Sequence, residues 1–136
     1  SSTFWTENIG STAAIATLKF MKKNKTWEKI TKIGKEIKRK WLQISTKHNI
    51  AIKISGMDAL PKFEFCSEKN EELKNFVCSE LLNKGFLSKN VIYVSIAHSK
   101  KILDQYFSHL DKIFFKIKKN KYNNKLKSKT DFKRFN

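Results

Sequence analysis

Chemistry in this chain would have to come from three histidines, two cysteines and a large excess of lysine. His48, His98 and His109 have no Cys, Asp or Glu at metal-ligand spacing, so no metal site is expected. His98 precedes Ser99, but a serine nucleophile needs a base that a third group orients, and adjacency in sequence supplies neither. The chain also lacks a phosphate-binding loop and a dinucleotide fingerprint. No catalytic residue is therefore expected within it. Cys66 and Cys78 suggest neither a disulfide framework nor a ligand set. Cys78 falls in a helical pattern, where a buried free thiol behaves as a small hydrophobe. Glu68, Glu71 and Glu72 are read as first-turn helix acids that complement the macrodipole.

The opening segment is the exception. Ser2, Thr3, Thr6, Glu7 and Asn8 precede a helix, with Phe4 and Trp5 set among them. Hydroxyls beside free backbone N–H groups make a good phosphate site. An ordinary capped helix entry, with both aromatics docked on the core, accounts for the same residues, and spacing alone favours it.

The elements that must position these groups read as α-α-β-β-α-β-α. Residues 10–23 form a first helix whose small residues, Ala13, Ala14 and Ala16, would let it lie close to another backbone. Thr26 offers an N-cap for a second helix to about residue 47. Its stripe is Trp27, Ile30, Ile33, Ile37, Trp41 and Ile44, at spacings of three and four. Ile50, Ile52 and Ile54 then alternate with polar or small residues as a strand does, and Phe63 and Phe65 do so again after a loop over 56–61. Residues 68–84 return to helical spacing and end at Gly85, where a C′ glycine belongs. Residues 91–96 read as a third strand. Ser99 caps a last helix with the stripe Leu103, Tyr106, Phe107, Leu110, Phe114 and Ile117. The expected fold is α+β: a small, mostly antiparallel three-stranded sheet covered by helices on one side.

Length and composition support one folded domain: 136 residues, 40% apolar and 12% aromatic. The formal charge of +17 is carried by lysine, with Arg39 and Arg134 the only arginines. Base reading and bidentate phosphate recognition favour arginine, so compositional bias explains the charge more simply than nucleic-acid binding does. Residues 116–136 hold +8 of the total. Past residue 119 the apolar pattern fails, so residues 120–136 read as a basic, weakly ordered tail. The chain begins with Ser1, which suggests an excised or processed piece. No signal peptide or membrane-length apolar run is present, and a soluble cytoplasmic protein is expected.

The run Ser1-Ser2-Thr3-Phe4-Trp5-Thr6-Glu7-Asn8-Ile9-Gly10, followed by Ala13-Ala14-Ile15-Ala16-Thr17-Leu18, resembles the start of the small domain of class III pyridoxal-phosphate (PLP) aminotransferases. The branch it resembles best is glutamate-1-semialdehyde 2,1-aminomutase and its sugar-pathway relatives. Ile54-Ser55-Gly56, Leu81-Leu82-Asn83-Lys84-Gly85-Phe86-Leu87 and Tyr93-Val94-Ser95-Ile96-Ala97-His98-Ser99 follow in the family's order. The resemblance covers residues 1–118. It implies the C-terminal small domain, residues 1–119, of a homodimeric fold-type I enzyme that transfers an amino group from a small-molecule donor to a carbonyl acceptor. By the same resemblance, Thr3 and more weakly Ser2 contact the cofactor phosphate of the neighbouring subunit. The Schiff-base lysine belongs to the large domain, and none of the 27 lysines here matches it. Alone, the chain is expected to be inactive, with the large domain and a second subunit as partners. Neither arginine matches a substrate-carboxylate site. The rival expectation is a basic module for nucleic acid or anionic surfaces, which the scarcity of arginine and the absence of a binding motif argue against.

Overall fold

The computed structural model describes residues 7–120. The chain runs through α1 (Asn8–Asn24), α2 (Thr26–His48), β1 (Ile52–Ser55), β2 (Lys62–Phe65), α3 (Asn70–Leu82) and α4 (Lys100–Lys118). A single residue, Lys25, joins α1 to α2 in the left-handed conformation, φ 48°. Its carbonyl accepts from the Glu28 and Lys29 N–H groups, so Lys25 and not Thr26 is the N-cap. A side-chain cap needs extended dihedrals, and a one-residue joint has no room for them. Thr26 is drawn inside the helix, where its Oγ1 is buried without a hydrogen-bond partner. At the far end Asn49 takes the left-handed conformation, and Ile50 N–H bonds back to Ser45 C=O at 3.0 Å. That Schellman closure turns the chain into β1.

β1 and β2 pair antiparallel, with Ile52 opposite Phe65 and Ile54 opposite Phe63. Those four side chains share one face of the sheet and meet α2, α3 and α4. Trp41 and Phe63 stack edge-to-face at 4.9 Å, both fully buried. Around them lie Ile37, Val77, Leu81, Leu110 and Phe114. The α4 stripe read from the sequence is buried throughout, with Ile113 added, and Ser99 caps α4 through Ile102 N–H. α3 is two residues shorter at each end than its pattern predicts.

The third strand is a correction. Among the described residues the sheet has two strands, and the 91–96 segment contributes one isolated bridge, Lys62 to Val91. The segment does lie antiparallel to residues 59–63: Ile92 N–H donates to Pro61 C=O, Val94 N–H to Ala59 C=O, and Phe63 N–H to Asn90 C=O. The ladder is incomplete because Pro61 has no N–H to return a bond to Ile92. Opposite Phe63, the buried Asn90 side-chain amide replaces the backbone donor, at 2.8 Å from Phe63 C=O. Three segments run side by side, but the second seam lacks one backbone donor on each side, at Pro61 and at Asn90.

α2 approaches the 56–61 loop at Gly34. A Cβ there would sit 1.7 Å from Asp58 O, so only glycine fits. One turn on, Lys38 Nζ holds the same loop through Gly56 O and Asp58 Oδ1, both at 2.8 Å.

α1 buries none of its residues. Ile9 is 73% exposed, Leu18 64% and Phe20 51%, and Trp27 at the head of the α2 stripe is 50% exposed. Trp27 thus departs from the core position its spacing predicts: α1 does not fold over it. No helix among the described residues is long and apolar enough to cross a membrane.

Candidate functional site

Thr3 and Ser2, the expected phosphate contacts, lie outside the described residues, as do residues 121–136 of the expected tail. What is described is the helix they lead into. α1 begins at Asn8 with Glu7 as N-cap, and among the described residues no side chain caps it. Such a helix start favours an anion, and it stands next to the segment that carries both hydroxyls.

The described lysines do not provide the amine of a PLP site. Lys74 is the only buried one among them, and Glu71 holds it in an ion pair. Lys38 is tied to the 56–61 loop, and Lys47 to both oxygens of Asp111. Each of these three lysines is thus held by a partner within the chain, and the two residues expected to meet the cofactor phosphate are not among those described.

Two of the three histidines are engaged in ways their spacing does not reveal. His48, buried at the end of α2, meets Asp111 Oδ1 of α4 through Nε2 at 2.9 Å. Burial pushes the Asp111 carboxyl up, but hydrogen bonds from Lys47 and His48, with their charge, outweigh it and hold it below the usual aspartate value. No nucleophile joins this cluster, so it acts as a clamp between α2 and α4. No three His, Cys, Asp or Glu side chains among the described residues come together as a metal site. Cys66 is exposed and Cys78 half-buried, both as free thiols.

His98 lies in a turn before α4 where its Nδ1 accepts Ser95 N–H at 3.1 Å. It lines a cleft of about 480 Å³ between residues 85–93 and the first turns of α4. At its base is Tyr106, 3% exposed, whose hydroxyl accepts the Trp41 Nε1–H at 3.1 Å. Burial pushes the phenol up to about 12, against the pull of the hydrogen bond from Trp41. The helical stripe identifies Tyr106 as a core residue, but the cleft depends on the 85–93 segment folding back over it. The only sequence signal for that is Gly85, whose φ of +80° turns the chain after α3.

This arrangement of four helices around a small antiparallel sheet is the fold of one part of a PLP-dependent enzyme. It superposes on the structure of the Sphingopyxis sp. MTA144 FumI protein, solved in its PLP internal aldimine form, with a TM-score of 0.77 at 18% identity. The match covers 86% of this chain and 29% of the FumI chain, so the present chain spans under a third of that enzyme. No protein-family model matches the chain, and no curated protein matches it in sequence.

Proposed function

We propose that residues 1–119 are the C-terminal small domain of a class III PLP-dependent aminotransferase or aminomutase of the glutamate-1-semialdehyde type, with residues 120–136 a basic tail. The observation that carries this reading is the fold shared with part of a PLP enzyme across 86% of the chain. The order of the quoted sequence pieces supports it independently. When bound, PLP supplies the electron sink for amino transfer. This chain's contribution is to close one wall of the cleft and to contact the cofactor phosphate of a neighbouring subunit, through Thr3 and more weakly Ser2, in a cytoplasmic homodimer.

The exposed face of α1 suits this role. Apolar residues occur on nearly every side of α1, a pattern that belongs to covered helices. The large PLP-binding domain is the proposed cover. Two measurements test the proposal. An antibody against this segment should detect a native polypeptide several times larger than 16.0 kDa; a 16.0 kDa band alone would exclude catalysis within one chain. In the intact enzyme Thr3→Val should weaken PLP retention, and unchanged retention would remove the phosphate assignment.

A further inference from the structure

We infer that the cleft between residues 85–93 and the first turns of α4 binds a small carboxylic acid with a flat apolar body. Its carboxylate would be held by the His98 Nε2–H and the Gln105 side-chain amide. This site is independent of the cofactor reading.

The size and lining carry the argument. About 480 Å³ falls within the roughly 300–1,000 Å³ of small-molecule sites. Phe86, Tyr93, Tyr106, Ile102 and Leu103 form the walls and base. Leu87 and Tyr93 stand at 88% and 78% exposure, large apolar surfaces that a ligand's body would cover. The polar groups of the lining favour an acid. Because His98 Nδ1 accepts Ser95 N–H, the neutral ring carries its proton on Nε2. Neither that N–H nor the Gln105 amide has a hydrogen-bond partner among the described residues. No Asp or Glu lines the cleft, whereas the grooves around Asp111 and beside Trp27 each contain a carboxylate. Lys101 precedes Gln105 by one helical turn and adds positive potential.

Phenylacetate is the probe, with its neutral isostere phenylacetamide and with acetate as controls, followed by two-dimensional NMR of the whole chain. Phenylacetate should saturate with a dissociation constant on the order of 1 mM, as suits about ten heavy atoms. The Ser95 backbone amide and the Gln105 side-chain amide should shift together. Phenylacetamide and acetate should each bind at least about tenfold more weakly, since each lacks one half of the recognition. Gln105→Glu, an exposed change that leaves the remaining spectrum intact, should abolish phenylacetate binding. Equal affinity for acid and amide, or for phenylacetate and acetate, would overturn the inference. So would an unaffected Gln105→Glu variant, or shifts that rise without saturation and spread over the lysines.

Discussion

The bond between Trp41 and Tyr106 joins helices 65 residues apart in sequence, and its removal has a pH signature. In Tyr106→Phe the Trp41 Nε1–H, on a fully buried residue, loses its acceptor. An unsatisfied buried donor costs about 1–3 kcal/mol, so near neutrality the variant should be less stable by that amount. Alkali should narrow the gap. The folded phenol titrates at about 12 and the unfolded one at 10.0. Below the unfolded value the phenol is protonated in both states, and its full contribution is present. As pH rises, the unfolded chain ionises first, and stability drains away until the folded phenol also ionises. At pH 11 the difference amounts to about one pK unit, or roughly 1.4 kcal/mol, lost by the native protein and not by the phenylalanine variant. Urea unfolding of both proteins at neutral pH and near pH 11 measures this directly. Lysine titration affects both proteins alike and cancels in the comparison. A gap that stays constant across that range would refute a buried, protonated phenol. A gap near zero at neutral pH would refute a dry indole donor.

Three further outcomes are expected. Gly34→Ala should gain about 1 kcal/mol of helix propensity, yet its Cβ would overlap Asp58 O and push the 56–61 loop off α2. A net loss of about 2 kcal/mol in urea unfolding is expected, and a stabilised variant would refute the close approach. Asp111→Asn should flatten the acid side of the stability curve. The depressed carboxyl contributes stability above its ordinary value of 3.8, lost as pH falls below it, and melting temperatures from about pH 5 to about pH 2 report that slope. Leu18→Gln with Phe20→Gln should change stability by less than about 0.5 kcal/mol while reducing concentration-dependent scattering, because α1 buries nothing in this chain; a larger loss of stability would show that α1 is packed.

Local periodicity was enough to locate the helices and the first hairpin. The α4 stripe from Leu103 to Ile117 is buried as its spacing predicts, and Phe63 and Phe65 face the core as their alternation requires. Errors came where backbone partners decide the outcome. Residues 91–96 alternate like a strand, but pairing depends on the opposing residue, and Pro61 cannot return the bond. Thr26 has the composition of an N-cap, yet a one-residue joint between helices requires a left-handed residue, and Lys25 supplies it. The cleft was least readable. His98 carries no spacing signal, because its tautomer is set by a backbone N–H three residues away and its neighbours come from another segment.

α1 and α2 show what periodicity can and cannot decide. On α2, Ile37, Trp41 and Ile44 are buried, while Trp27, on the same stripe about three to five turns earlier, is half exposed. A stripe marks the face that a helix needs covered; it does not name the cover. Within this chain β1, β2 and α4 cover the C-terminal half of the α2 stripe, and nothing described covers its head. α1 extends the same deficit, with Ile9, Leu18 and Phe20 in solvent. An apolar surface of this kind is tolerated when another domain or subunit takes it up. This uncovered stretch, from Ile9 to Trp27, follows directly in sequence the segment that bears Ser2 and Thr3. If the large domain seats there, the same contact that buries Trp27 would bring the uncapped start of α1 towards the cofactor. Burial of Trp27 in the intact enzyme, read as a blue shift and quencher protection relative to this chain, is therefore expected to accompany PLP retention. Retention with Trp27 still solvent-exposed would separate the phosphate contact from domain docking and refute that link.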